Sequence, residues 1–153
     1  MPKTIIISDA SPIIALENIG RLNLLRILYE EIIVTDMVAD EVQIELPGWI
    51  RSDNSYDKNL YVSLCTQLDE GEASAIALAV QKKDCLLIID EKKGRRLAKE
   101  LGIEVTGLIG VVLKAKGEGV IDSGKLVLSE LEENGFRISD LLKKNLFKLL
   151  EEE

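Results

Sequence analysis

Residues 70–106 read EGEASAIALAVQKKDCLLIIDEKKGRRLAKELGIEVT, and the alternation inside this stretch decides the fold. Glu72, Ile76, Ala79 and Val80 recur at helical spacing through residues 70–82. Cys85-Leu86-Leu87-Ile88-Ile89 is a short, almost continuous apolar run ending on Asp90, the pattern of a strand covered on both faces. Residues 92–101 return to helical spacing, with basic residues in the last turns and Gly102 as the stop, and residues 103–106 supply another strand. Strands joined through helices imply βαβ units and a parallel sheet.

The same grammar extends both ways. Residues 4–8 and 31–35 read as strands, and 12–19, 22–29, 36–45, 108–116, 123–132 and 139–150 as helices. Ser11-Pro12 reads as an N-cap followed by proline at the first helical position. The polar stretch 47–59, with Trp49 and Tyr56, is the least regular part and reads as a mobile loop. Glu151-Glu152-Glu153 reads as a frayed, solvated end. The expected architecture is one α/β domain over residues 1–153, with a helical C-terminal extension from about residue 121.

Composition narrows the chemistry. The 153 residues are 46% hydrophobic and carry 19 Lys+Arg against 27 Asp+Glu, a net charge of −8; a chain this long and apolar can bury a sizeable core. There is no histidine, which excludes Ser-His-Asp and Cys-His sites and His-containing zinc sites. Cys65 and Cys85 sit among apolar residues and read as buried thiols of a reducing compartment. The apolar run in Met1-Pro2-Lys3-Thr4-Ile5-Ile6-Ile7-Ser8-Asp9 is too short for a signal peptide, and no run is long enough to span a membrane, so the expected location is cytoplasmic.

Catalysis must therefore rest on carboxylates, Lys, Ser/Thr or bound metal. Parallel strands finish on one edge, where ligands of open sheets sit, and two strands end there in an acid: Ile7-Ser8-Asp9 and Ile88-Ile89-Asp90. Two further acids occupy helix stripes expected to face the sheet: Glu41 between Val38 and Val42, and Glu72 ahead of Ile76. Asp69-Glu70-Gly71-Glu72 also matches a capping box, a structural use for Glu72. With no basic residue on these stripes, Asp9, Glu41, Glu72 and Asp90 would repel one another in one pocket, and a divalent cation relieves the conflict. Oxygen-only ligands favour Mg²⁺ or Mn²⁺ over zinc, and such a centre suits activation of water against a phosphodiester. Lys92, Lys93, Arg95, Arg96 and Lys99 form the densest basic cluster, next to Asp90, and can grip phosphates or serve as a solvated face. The helix at 139–150 sets Lys143, Lys144 and Lys148 opposite Leu142, Leu146 and Leu149, for docking on a partner or on its own domain.

Four blocks carry a family resemblance. Ile7-Ser8-Asp9-Ala10-Ser11-Pro12-Ile13-Ile14-Ala15-Leu16, Asp36-Met37-Val38-Ala39-Asp40-Glu41-Val42, Leu68 to Ala79 and Leu87 to Ala98 occur in the order seen in PIN-domain proteins. The chain most resembles the small prokaryotic DUF3368 branch, related to VapC-type toxins. The resemblance implies a PIN-like, Rossmann-like three-layer sandwich and a Mg²⁺- or Mn²⁺-dependent ribonuclease leaving 5′-phosphate and 3′-hydroxyl ends. It also implies a homodimer, neutralised by an antitoxin encoded beside it. Carried over by motif, Asp9, Glu41, Glu72 and Asp90 are the catalytic metal ligands and Ser11 a polar neighbour, with Lys92, Lys93, Arg95 and Arg96 on the substrate side. The toxins often read Thr-x-Asp in the last block, and that alignment makes Glu91 the ligand in place of Asp90.

The expected activity is an endonuclease on single-stranded RNA. A net charge of −8 speaks against strong general nucleic-acid binding, so the grip must be local. The rival is a catalytically inactive PIN-like module acting through protein–protein or nucleic-acid binding. A receiver-like phosphorylation module also gathers acids at strand ends, but it needs a Lys that no strand here supplies.

Overall fold

Runs of β-branched residues buried on both faces form strands wherever they can pair, and here they pair into one parallel sheet. The computed structural model describes residues 4–152. Its strands are β1 (Ile5–Ser8), β2 (Ile32–Val34), β3 (Ile50–Ser52), β4 (Cys85–Ile88) and β5 (Glu104–Thr106), in the order β3-β2-β1-β4-β5. Register is set by Ile7 opposite Ile33 on one side of β1 and opposite Leu87 on the other. The chain builds outward from β1 through β2 to β3, then crosses back to lay β4 and β5 on the other side of β1. The switch point lies between β1 and β4, the place where an α/β sheet opens a crevice for a ligand.

The helices are α1 (Ala10–Asn18), α2 (Asn23–Tyr29), α3 (Asp36–Val42), α4 (Lys58–Leu64), α5 (Glu70–Lys82), α6 (Lys92–Glu100), α7 (Leu108–Gly117), α8 (Gly124–Glu133) and α9 (Asp140–Leu149). With the sheet they make the expected α/β architecture, a central parallel sheet flanked by helices. Ile7, Leu87 and Ile88 of the sheet are wholly buried, as are Ile13 and Leu16 of α1 and Ile76 and Leu78 of α5. Among the described residues, no helix is long and apolar enough to cross a membrane. Cys85 is buried and Cys65 half-buried, both as free thiols.

Several expectations are corrected. The stretch 47–59 is not simply a loop: it holds edge strand β3 and leads into α4, whose N-cap Asp57 accepts from the N–H of Asn59 and Leu60. Three strand residues with one buried side chain are too short a pattern to read, and tertiary anchors secure them, including Lys82 Nζ to Asp53 Oδ2 at 2.7 Å. The first helix begins at Ala10 with Asp9 at the N-cap, so Ser11 lies inside the first turn. The third helix stops at Val42, where Gln43 turns left-handed with φ 56°.

At the C-terminus Glu152 is tied down rather than frayed. Its carboxylate accepts from Ser123 Oγ at 2.5 Å and the Gly124 N–H at 2.8 Å, and pairs with Lys116; Glu153 lies outside the described residues. Arg21 joins the end of α1 to α8 through a two-point bond to Glu130 at 2.8 and 3.1 Å. Of the expected apolar stripe of α9, Leu146 is buried while Leu142 and Leu149 are exposed.

Candidate active site

Asp9 follows β1 directly. Its N–H donates to the Ile88 carbonyl at 2.9 Å, stitching the ends of β1 and β4 together, and its side chain is only 3% exposed. Oδ1 is buried without a hydrogen-bond partner. Burial pushes this carboxyl up to about 7, reinforced by the charges of Asp69, Glu41 and Asp90 and opposed by the Ala10 N–H.

Asp90 stands two residues past β4. Oδ1 accepts from the Leu108 N–H at 3.0 Å, at the start of α7, and Oδ2 is buried with no partner. Burial raises its pKa, while the Leu108 N–H and the Arg95 guanidinium lower it. Arg95, from the basic cluster expected beside Asp90, is the cation whose charge reaches this acid. Gly107 permits this packing, because a Cβ there would collide with Asp90 Oδ1 and Arg95 Nη1.

Glu41 departs from expectation. It sits on the exposed border of α3, not on the buried stripe formed by Val38 and Val42. Its carboxylate folds over Gly71, in space that a Cβ would fill, and receives the Gly71 N–H. Partial burial and the charge of Asp69 still raise its pKa.

Glu72 lies half-buried in the first turn of α5. Asp69 caps that helix by accepting from the Glu72 N–H at 2.8 Å, one half of the expected capping box. The Glu72 carboxyl meets the Asp69 side chain. Burial first, then Asp69, Asp9 and Glu91, push it up to about 8. Glu91 caps α6, its Oε2 accepting from the Gly94 N–H at 2.7 Å.

These couplings draw Asp9, Glu41, Asp69, Glu72, Asp90 and Glu91 into one acidic group at the carboxyl edge of the sheet. Asp69 belongs to it although the sequence shows it only as a cap; the signal available was its three-residue spacing from Glu72. Among the described residues, no three acids lie close enough together to form a ready cation cage. Glu41, Glu91 and one oxygen of Asp90 instead hold backbone N–H groups. The unpartnered buried oxygens of Asp9 and Asp90 are the part of the group whose chemistry fits a hard divalent ion.

Behind the acids, two fully buried hydroxyls join α3 to α5. Thr35, the α3 N-cap, lies 2.7 Å from Ser74 Oγ and accepts from the Val38 N–H. Ser74 donates to the Gly71 carbonyl at 2.9 Å. Polar residues at such strand ends and helix interiors gave no signal in the sequence.

Beside Asp90, a cavity of about 860 Å³ is lined by Asp90, Glu91, Lys92, Lys93, Arg95, Arg96 and Lys99. Ser11 is exposed on α1, where it lines a separate hollow of about 230 Å³ with Leu131, Asn134 and Phe136.

A parallel sheet whose switch point gathers buried acids defines a Rossmann-like α/β protein with an acidic centre. The profile of DUF3368, a PIN domain, matches residues 5–152, and the chain belongs to the PIN-domain family. PIN domains are generally nucleases that use divalent metals, which points to nuclease-type function for this chain. Neither the curated proteins nor the solved structures provide a match to the chain.

Proposed function

We propose that the chain is a Mg²⁺- or Mn²⁺-dependent endoribonuclease acting on single-stranded RNA. The observation that carries this reading is the pair of buried, unpartnered oxygens, Asp9 Oδ1 and Asp90 Oδ2, at the ends of adjacent strands. Buried carboxylates are retained where they are paired, protonated or coordinated. Asp9, Glu72 and Asp90, with Glu41 at the rim, would hold the ion, and Glu91 is the alternative to Asp90. A bound divalent ion supplies Lewis acidity toward the phosphoryl oxygen and an activated water. The protein's share is to keep these carboxylates fixed and partly desolvated, and to present cations of α6 beside them. By family resemblance the protein is the toxin of a toxin–antitoxin pair and a homodimer, located in the cytoplasm. Growth arrest on expression, relieved by Asp9→Asn, would be its signature.

A non-cutting PIN-like module is favoured by one observation: Glu41 and Glu91 already serve as acceptors for helix N–H groups. Calorimetric titration of Mn²⁺ into chelator-treated wild type and Asp9→Asn, with the same samples assayed on single-stranded RNA, separates the two. Metal binding with cleavage, both lost in Asp9→Asn, is expected. No metal binding by the wild type would overturn the nuclease reading.

A further inference from the structure

Residues 92–99 hold five cations and no acid, in a chain whose net charge is −8. Helix α6 buries Gly94 and Ala98 against the protein. The opposite face then carries Lys92, Arg96 and Lys99 at spacings of four and three, one continuous outer row about 10 Å long at a rise of 1.5 Å per residue. Lys93 flanks the row on one side. Arg95, half-buried on the other side, lies with the Asp90 carboxylate against Gly107.

Six cations elsewhere are occupied. Arg21, Arg51, Lys82, Lys114, Lys116 and Lys143 each pair with a carboxylate within 3.5 Å. Among the described residues, Lys92, Lys93, Arg96 and Lys99 have no such partner, and all four are exposed along the 860 Å³ cavity that opens at Asp90. Like charges crowded on one helix face repel one another and cost stability, a cost that an anionic occupant offsets; the one acid of α6, Glu100, stands at its last position.

We infer that the outer row of α6 is a phosphate track. It holds the backbone of a single-stranded nucleic acid along Lys92, Arg96 and Lys99, leading away from the acidic centre, with Lys93 as a side contact. The track deepens the proposed function and rests on it for the identity of the strand as RNA. Arg95 stands apart from the track: its guanidinium and the Asp90 carboxylate both crowd Gly107 at the end nearest the centre. Contacts of this kind read charge and not base, so binding along the track is indifferent to sequence and falls steeply with salt.

The test is fluorescence anisotropy of a labelled single-stranded oligoribonucleotide with the full chain, in chelator and without metal, over about 50 to 200 mM salt. Four phosphate contacts predict a log–log slope of about −2 to −3. The triple variant Lys92→Gln, Arg96→Gln, Lys99→Gln should bind about tenfold or more weakly, with the slope reduced to about −0.7. These positions are exposed and glutamine sustains a helix, so the far-UV circular dichroism should match the wild type. The pair Lys144→Gln, Lys148→Gln on α9 is the control and should bind as the wild type does.

No binding by the wild type, or a triple variant with unchanged affinity and slope, overturns the track. Equal displacement of the RNA by polyglutamate of the same charge also overturns it, in favour of an acidic protein partner. Tight, α6-dependent binding by a protein that never cuts RNA with Mn²⁺ supplied would leave the track standing while the nuclease reading falls.

Discussion

The N–H of Asp9 donates to the carbonyl of Ile88 at 2.9 Å, two positions before Asp90, so one hydrogen bond ties together the strand ends that carry the two acids. Ser8 stands opposite Ile88 in the register of β1 and β4. Any change that slips this register by one residue moves one acid to the wrong face of the sheet.

The stability of the chelated protein should fall as pH rises from about 4 to about 8. Asp9 has a folded-state value of about 7 against an ordinary 3.8, so in that interval the folded state binds more protons than the unfolded chain, and raising the pH disfavours it. The full shift corresponds to at most on the order of 4 kcal/mol at alkaline pH. Asp9→Asn cannot ionise, so its melting temperature should be flatter over the same range and higher than wild type at pH 8. Parallel curves for the two proteins in chelator would remove Asp9 from the repelling group.

Gly71→Ala should separate stability from metal affinity. Gly71 lies inside α5, where alanine gains roughly 0.5 to 1 kcal/mol over glycine. The added Cβ, however, takes the space of the Glu41 carboxylate, the mobile end of an exposed side chain. The variant is expected to be at least as stable as wild type in denaturant while binding Mn²⁺ several-fold more weakly. Gly107→Ala differs, because the collision there is with Asp90 and Arg95 in a packed corner; it should lose about 1 to 3 kcal/mol. Undiminished Mn²⁺ affinity in Gly71→Ala would place Glu41 outside the metal site.

The contrast between these residues shows what could be read from the chain alone. Asp9 and Asp90 were legible because each ends an apolar run, and the sheet carries every such ending to one edge. Glu41 was legible as an acid but not in its placement: helical spacing put it on a buried stripe, whereas α3 ends one residue later and the side chain turns out over Gly71. Gly71 and Gly107 matter for room made beside a side chain distant in sequence, which no local pattern records. Strand β3 escaped for a related reason, since its pairing with β2, register and ion-pair anchor are all tertiary.

Thr35→Val should destabilise the protein by about 1 to 3 kcal/mol, since it removes the α3 N-cap and the buried Thr35–Ser74 bond, leaving Ser74 only the Gly71 carbonyl. Thr35→Ser keeps the hydroxyl and should recover most of the loss. The check is a urea midpoint that drops in the valine variant with an unchanged m-value. Because the hydroxyl pair joins the helices of Glu41 and Glu72, Mn²⁺ affinity should drop in the valine variant and return in the serine one. A valine variant within about 0.5 kcal/mol of wild type would mean the pair contributes nothing.

Asp90 and Glu91 can be told apart by what each already holds. Glu91 is exposed and caps α6 through the Gly94 N–H at 2.7 Å. Glutamine at this position keeps an acceptor oxygen and alanine does not, so Glu91→Gln should be close to wild type and Glu91→Ala about 1 kcal/mol less stable. Asp90 accepts from the Leu108 N–H with one oxygen and buries the other without a partner. Asp90→Asn retains an oxygen for Leu108 but loses the charge, so its fold should survive while Mn²⁺ no longer raises its melting temperature. In the wild type, Mn²⁺ at about 100 times its dissociation constant contributes about 2.7 kcal/mol, a rise of roughly 5 to 10 °C for a chain of this size. If Glu91→Gln abolishes that rise and Asp90→Asn keeps it, the metal is held from the helix cap, and the strand-end acid serves to anchor α7.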